Sequence, residues 1–459
     1  MAVNSPAPVR RAAVAGRFYP GHPLQLAAEV GELLDGVGSL EPKFDFPKVL
    51  IVPHAGYIYS GAIAAHAYDE LAAARGTVKR VVLFGPAHYV AGRGLALPEC
   101  EAFETPLGRI PLDKAGIESL ADLKQVVRSA AAHAQEHSLE VQLPFLQKML
   151  GEFSLLPLAV GDAKLQEVID VIERLWGGAE TLFVLSTDLS HYHAYDEARS
   201  IDRATLARIA GFAADINHEE ACGATPLNGF LAAARAHGLS IRLLGACNSG
   251  DTAGGKDRVV GYSAFALYEG SRVSLEDAGL TLLAIARAAI GHRLGVHAEP
   301  PRTDIAPWLM RAGASFVTLL LDAKLRGCIG SLQASRRLGE DVAENAQAAA
   351  LRDPRFAPLT PGEWPRCEVE VSVLSPAKPL HFADEAELLA QLRAGEDGVI
   401  LEHEGQRSTF LPRVWEDLPE KPRFLDELMR KTGTPAGTRL ANCKLWRYRV
   451  IQWKQSALQ

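Results

Sequence analysis

Over the first 270 residues of this 459-residue chain, short apolar runs alternate with amphipathic stretches. Four runs have the size and composition of strands: Val49–Val52, Val81–Phe84, Leu182–Leu185 and Ile241–Leu244. The segments between them repeat their apolar residues with the 3.6-residue period of surface helices. The alternation predicts an α/β domain with a largely parallel sheet covered by helices.

Each of the four runs is followed within a few residues by side chains that can bind a metal ion or transfer a proton. The segments concerned are Pro53–Tyr57, Gly85–His88, Ser186–His191 and Asn248–Asp251. Ligands of open α/β sheets bind in the crevice outside the carboxyl ends of the strands. We therefore expect these four segments to converge on one pocket.

Within that pocket, His54, His88 and Asp251 are the predicted metal ligands. Two imidazoles and one carboxylate suit Fe(II), Zn or Mn better than Cu(I) or Ca. We expect Fe(II), with zinc or copper as the alternatives. His191 and Asp188 are the predicted acid/base groups, because an imidazole with a pKa near 6.5 transfers protons at neutral pH. The predicted lining residues are Tyr57, Glu136, His137 and Ser249.

A competing motif lies at His133–His137, whose sequence HAQEH matches the inverted zinc-peptidase signature H-x-x-E-H. On one helix, His133 and His137 would share a face and Glu136 would act as general base. Ser138 is typical of a helix N-cap, which would put His137 in the loop that enters the helix. A zinc hydrolase is therefore the weaker alternative, with Glu136 and His137 bracing the first pocket instead.

Charge, hydropathy and cysteine spacing exclude several classes of protein. The chain has 48 Lys and Arg against 55 Asp and Glu, so nucleic acid is not an expected partner. No segment approaches the ~18 apolar residues of a membrane span, and the N-terminus lacks a signal-peptide core, so we expect a cytoplasmic protein. The six cysteines are scattered without a CxxC pair, which predicts reduced, mostly buried thiols.

A domain boundary is predicted near residues 270–274, giving domains of residues 1–270 and 274–459. A strand should end near Tyr268, and Ser274 with Asp277 forms a plausible capping box for the next helix. The second domain has a strongly alternating segment at Glu368–Leu374 and helical segments beside it, which predicts an α+β domain.

The best chemical candidate in the second domain is Cys328, in the segment Leu325–Gly330. A nucleophilic thiol could be activated by the neighbouring charge of Arg326. The segment favours a simpler interpretation, a small buried thiol on a strand between closely packed glycines.

The motifs GRFYP, PHAGYIYSG, GPAH, EHSLEVQLPFLQ, STDLSHY, CGATP and SGDT resemble the Memo family over residues 10–268. That family is similar to the class III extradiol, non-haem iron dioxygenases. The resemblance implies their fold, a metal site on His54 and His88, and a pocket that includes Asp188 and His191. Extradiol enzymes use a glutamate as third ligand, whereas this chain offers the shorter Asp251.

The segments LRGCIG, NAQAAALRDPRFAPLT and VEVSVL resemble the AMME-chromosomal-region (AMMECR) family over residues 274–459. Proteins similar to these two families are associated with a radical S-adenosylmethionine protein in the three-part bacterial AmmeMemoRadiSam system. This chain has no CxxxCxxC cluster motif, so the resemblance implies that the radical protein is a separate partner.

The sequence thus predicts a two-domain metal-binding protein, with an iron dioxygenase-like or redox enzyme as the leading hypothesis. It would act on an unidentified small molecule or peptide. A non-catalytic metal-binding or interaction module is the alternative, and a zinc hydrolase is the third.

Overall fold

The structure is a computed structural model that describes residues 8–37, 43–270, 273–297, 299–435 and 438–455. The chain divides into two compact units, one of residues 1–38 and 45–272 and the other of residues 39–44 and 273–459. No described helix is both long and apolar enough to cross a lipid bilayer.

The first unit is built around a large mixed sheet. Its strands are β1 (Val9–Arg10), β2 (Val49–Val52), β3 (Arg80–Pro86), β4 (Leu95–Leu97), β5 (Ala102–Thr105), β6 (Gly108–Pro111), β7 (Val126–Arg128), β8 (Ser154–Val160), β9 (Thr181–Ser186), β10 (His191–His193), β11 (Ser240–Asn248) and β12 (Val259–Tyr268). The large sheet runs in the order β10-β12-β2-β9-β3-β8-β4-β7, with β11 on the other edge of β12, while β1, β5 and β6 form a small separate sheet.

Helices surround the large sheet. They are α1 (Pro23–Gly36), α2 (Ala62–Asp69), α3 (Lys114–Ser119), α4 (Ala130–Ala134), α5 (His137–Glu140), α6 (Leu143–Leu150), α7 (Leu165–Leu175), α8 (Tyr195–Ala210) and α9 (Ala224–Ala236). A π-helical turn, Tyr57–Gly61, precedes α2, and a 3-10 turn, Ser249–Asp251, follows β11.

The centre of the sheet is parallel, as the sequence predicted. Strands β2, β9, β3 and β8 pair in parallel, whereas β12 is antiparallel to β2 and β11 is antiparallel to β12. Every residue of β2 and β9 is buried, which accounts for their uninterrupted apolar sequences. Because β9 lies between β2 and β3, the carboxyl ends of these three strands lie side by side.

The second unit is an α+β domain with two antiparallel sheets. Its strands are β13 (Ala312–Gly313), β14 (Ser315–Leu321), β15 (Lys324–Gly330), β16 (Arg336–Arg337), β17 (Cys367–Leu374), β18 (Lys378–Leu380), β19 (Gly398–His403), β20 (Gln406–Phe410), β21 (Lys444–Tyr448) and β22 (Val450–Lys454). The sheet orders are β15-β14-β17-β22 and β18-β21-β19-β20, with β13 and β16 as a separate pair.

Four α-helices and several 3-10 turns complete the described part of this unit. The helices are α10 (Leu275–Arg293), α11 (Leu338–Leu351), α12 (Glu385–Gln391) and α13 (Lys421–Thr432). The Ser274 side chain accepts a hydrogen bond from the Asp277 backbone N–H, which confirms Ser274 as the N-cap of α10. Asp322 and Ala323 adopt positive φ between β14 and β15, as a two-residue hairpin turn requires.

Candidate metal centre

The adjacent ends of β2, β9 and β3 bring together the histidines that the sequence singled out. The ring centroids of His54 and His88 are 5.1 Å apart. His137, at the start of α5, lies 5.5 Å from His54 and 4.8 Å from His88 by the same measure. The three rings form one cluster at the carboxyl edge of the parallel sheet.

The tautomer of His54 follows from its hydrogen bonds. The Ser186 hydroxyl donates its proton to the Ser138 carbonyl oxygen at 2.7 Å. The His54 Nδ1 atom, 2.8 Å from the Ser186 Oγ atom, must therefore donate to that oxygen, which leaves a lone pair on Nε2. His54 is only 2% exposed, and burial lowers the pKa of its ring well below the usual value. The ring is consequently neutral and presents Nε2 as a ligand.

His88 is held in the same tautomer by Glu136. The carboxylate of Glu136 accepts hydrogen bonds from the His88 Nδ1 atom at 2.9 Å and from the His88 backbone N–H at 2.7 Å. Burial alone would raise the pKa of Glu136, but the hydrogen bonds from His88 lower it to about 2. A histidine that binds a metal ion usually donates its other ring N–H to a carboxylate in this way.

Cys222 completes the cluster from a loop before α9. Its Sγ atom lies 3.3 Å from the His54 Nε2 atom. The loop is fastened to the segment that follows β9, since the Cys222 backbone N–H donates to the Asp188 carbonyl and the Gly223 N–H donates to the Thr187 hydroxyl. A Cβ at Gly223 would come within 2.9 Å of the Ser186 carbonyl oxygen, so the close approach of the loop requires glycine there.

Two sets of three side chains in the described part of the chain could each hold a metal ion. They are His54, His88 and Cys222, and His88, Glu136 and His137, with the ligand atoms of each set within 4.8 Å of one another. Because Glu136 already accepts from the Nδ1 side of His88, the Nε2 atom of His88 belongs with the first set. Two imidazole nitrogens and one sulfur form a plausible three-ligand site.

Asp188 and His191 lie beside this set. The buried Asp188 accepts the His54 backbone N–H at 2.7 Å, and its second oxygen is 3.8 Å from the His54 Nε2 atom. Burial raises the pKa of Asp188 to about 7. The His191 Nδ1 atom donates to the Leu189 carbonyl at 2.8 Å, which leaves Nε2 as an acceptor, and burial lowers the pKa of its ring.

The structure corrects the prediction that Asp251 is the third ligand. Its exposed carboxylate accepts hydrogen bonds from the Tyr195 hydroxyl and the Asn248 backbone N–H, and it belongs to neither ligand set among the described residues. The reason is strand order: β11 runs in the same direction as β2, but β12 separates them. The end of β11 is thus displaced from β2 by two strand spacings, about 9–10 Å.

Of the four predicted lining residues, two belong to the histidine cluster and two have other contacts. Glu136 and His137 belong to the cluster, whereas Tyr57 is buried and donates its hydroxyl proton to the Val141 carbonyl. Ser249 accepts the Val260 backbone N–H, in the turn that also contains Asp251.

The arrangement expected for a zinc hydrolase, with His133 and His137 on one helix, does not form. Helix α4 ends at Ala134 and α5 begins at His137, so His133 and His137 do not share one helix face. The buried His133 ring makes its hydrogen bond to the Ala96 carbonyl at 2.8 Å and packs against Phe103. It belongs to neither ligand set among the described residues.

In the second unit, Arg326 and Cys328 have other partners. The Arg326 guanidinium binds Glu363 and the Ala357 carbonyl, and the Cys328 thiol accepts the Thr318 hydroxyl at 3.2 Å. None of these contacts joins Arg326 to Cys328. The position of Cys328 within β15 agrees with the simpler interpretation, a thiol on a strand.

The residue that sequence reasoning missed is Cys222. It lies 31 positions after His191 and far from the other cysteines, so spacing gave no sign of a ligand. The available signal was the segment CGATP, in which a thiol precedes a glycine and a helix start.

Comparisons with known proteins cover both units. A family model described as Memo-like protein matches residues 10–266, and one described as AMMECR1 matches residues 283–453. A MEMO1 family protein of Methanopyrus kandleri is 37% identical over 284 residues, covering 57% of this chain and 99% of that protein. One of Aquifex aeolicus is 34% identical over 268 residues, covering 55% and 97%. A solved structure of an uncharacterised protein of Pyrococcus horikoshii shares 28% identity and covers 38% of this chain and 90% of that one, with a TM-score of 0.34.

Proposed function

Because this chain belongs to the Memo family and carries an AMMECR1 domain, we propose that its first domain is a redox enzyme with one metal ion, expected to be Fe(II). The proposed ligands are His54, His88 and Cys222. The fold is proposed to be that of the class III extradiol dioxygenases.

One observation carries the metal proposal: both imidazoles are fixed with Nδ1 as donor, so that the Nε2 lone pairs remain for an ion. A thiol lies 3.3 Å from one of these nitrogens. Imidazole and thiolate together suit iron, zinc and copper, and exclude a hard ion such as Ca²⁺ as the preferred occupant.

With three protein ligands, a bound iron ion would keep open positions for a substrate and could change its oxidation state. The chain itself supplies the proton chemistry. The lone pair of the His191 Nε2 atom can accept a substrate proton, and the Leu189 carbonyl holds the ring in that tautomer. Asp188, with a pKa of about 7, can hold or release a proton close to neutral pH.

The proposal includes a partner, a separate radical S-adenosylmethionine protein, with the second domain recognising that partner or a substrate. The support is the fusion of the two domains and the absence of a CxxxCxxC motif from the sequence. Fusion raises the effective concentration of one domain at the other, as expected for steps of one pathway.

The test compares two partly buried cysteines, of which only one belongs to a ligand set. Full-length protein loaded anaerobically with Fe(II) should retain about one ion per chain. Cys222→Ser should reduce affinity by about tenfold or more, whereas Cys247→Ser should not. Metal content and chelator competition measure both. Equal retention by all three proteins would reject the site, and absence of oxygen uptake with retained iron would favour the non-catalytic module.

A further inference from the structure

A cavity of about 510 Å³ lies within the second unit, against the sheet β15-β14-β17-β22. Helices α10 and α11 pack on one face of this sheet, where residues such as Val317 and Val371 are buried. Side chains alternate between the faces of a strand, so Phe316 and Thr318 point the other way and line the cavity. Its volume is within the usual range for small-molecule sites.

The floor of the cavity offers hydrogen-bond acceptors. Thr318 donates its hydroxyl proton to the Cys328 thiol, so its oxygen lone pairs remain available. The Gln452 Nε2 atom donates to Glu370 at 2.7 Å, which leaves the amide oxygen free to accept. The Ser372 hydroxyl has no hydrogen-bond partner within the described ranges. The floor is thus suited to an O–H or N–H group of a ligand.

The wall is aromatic and rigid. The Trp415 ring stacks on Phe424 with centroids 3.6 Å apart, and its Nε1–H donates to the Asp397 carbonyl at 2.7 Å. Phe316 lines the cavity from the sheet. Phe316 provides an apolar surface, and the buried Trp415 ring is fixed before a ligand arrives, which reduces the entropy lost on binding.

The rim carries one charge of each sign. Arg413 and Glu416 are exposed, line the cavity and lie three residues apart on the 3-10 turn Pro412–Glu416. Neither forms an ion pair within the part of the chain that the structure describes. The nearby ammonium of Lys454 pairs instead with Glu370, at 2.9 Å.

We propose that this cavity binds a free amino acid whose side chain is aromatic and carries a hydroxyl group. Arg413 binds the α-carboxylate and Glu416 the α-ammonium, because these unpaired charges match a zwitterion. The aromatic ring lies against the half-buried Phe316, and the hydroxyl donates to the acceptors of the floor. The proposal does not depend on the metal centre of the first domain.

The experiment titrates the full-length protein with L-tyrosine and three analogues, followed by ligand-observed NMR. Tyramine lacks the carboxylate, 3-(4-hydroxyphenyl)propionate lacks the ammonium, and L-phenylalanine lacks the hydroxyl. Each analogue should bind about tenfold or more weakly than tyrosine, since each loses a charge-assisted or buried hydrogen bond.

Two variants test which group of the ligand each rim charge binds, and thermal unfolding checks that each variant remains folded. Arg413→Met should weaken tyrosine about tenfold without changing tyramine, and Glu416→Gln should weaken tyrosine without changing 3-(4-hydroxyphenyl)propionate. Arg423→Met, an exposed arginine outside the lining, is the control and should have no effect. Failure of the wild-type protein to bind tyrosine at millimolar concentration would overturn the proposal, as would variants that do not discriminate among the analogues.

Discussion

At the scale of single residues, the protonation of Cys222 governs how the proposed site takes up a metal. Burial, and then the nearby charge of Asp188, raise the pKa of its thiol to about 12. The thiol is therefore protonated at neutral pH, whereas a metal ion binds the thiolate. Metal binding must displace this proton.

Metal affinity should consequently rise with pH, by up to tenfold per unit around neutral pH. Calorimetric titration with Zn²⁺ in buffers of different ionisation enthalpy should show about one proton released per ion from this thiol. Cys222→Ser should release about one proton fewer. An unchanged proton count in the variant would contradict thiolate ligation.

A second residue, His133, makes stability depend on pH. Burial lowers the pKa of its ring to about 4, against 6.5 in the unfolded chain. The unfolded state therefore binds the proton first as the pH falls. The contribution of His133 is present above pH 6.5 and is lost progressively towards pH 4, by about 3 kcal/mol at most.

His133→Gln, which cannot take up a charge, should flatten the loss of unfolding free energy between pH 6.5 and 4.5. Urea denaturation of the first unit's transition at both pH values measures this. His237→Gln, at a partly exposed histidine paired with Glu173, serves as the control. A variant slope as steep as that of the wild-type protein would show that His133 is not the titrating group.

At the scale of elements, Glu140 of α5 fastens the N-terminal segment to the cluster of His54, His88 and His137. Its fully buried carboxylate pairs with Arg10 and accepts the backbone N–H groups of Ala13 and Val14 and the Tyr19 hydroxyl. The fastened segment includes Phe18, whose ring packs against His137 with centroids 4.8 Å apart. One carboxylate thus positions a wall of the cluster.

Glu140→Gln should destabilise the first unit by about 3–5 kcal/mol, because the buried Arg10 charge loses its partner. Chemical denaturation measures the effect. The matched change Glu104→Gln, at a partly exposed pair with Arg109, should cost less than about 1 kcal/mol. Similar losses in the two variants would mean that the buried pair has no special role.

The positions of the strands along the chain were largely predictable from the sequence, but the pairing of the strands within the sheet was not. The four apolar runs became β2, β3, β9 and β11, because hydrophobic pattern and length determine where a strand forms. The sheet order that separates β11 from β2 arises from long-range pairing, which no local pattern encodes. The structure therefore brings His54, His88 and Asp188 together, as expected from their neighbouring strands, whereas Asp251 lies apart and Cys222 joins from a loop that the sequence did not single out.

At the scale of the whole molecule, the two units contain separate candidate sites with different chemistry. The first unit gathers imidazoles and a thiol at the carboxyl edge of a parallel sheet, and the second has a cavity against an antiparallel one. The domain match divides the chain at the same place, with 10–266 in one family and 283–453 in the other. Each site can therefore be tested in the full chain by substitutions that leave the other intact.

Whether His54, His88 and Cys222 bind one ion together can be measured by X-ray absorption of the zinc-loaded full chain. We predict one sulfur scatterer at about 2.3 Å and nitrogen or oxygen scatterers at about 2.0–2.1 Å, with the sulfur contribution absent in Cys222→Ser. A spectrum of the wild-type protein with nitrogen and oxygen scatterers alone would contradict ligation by Cys222.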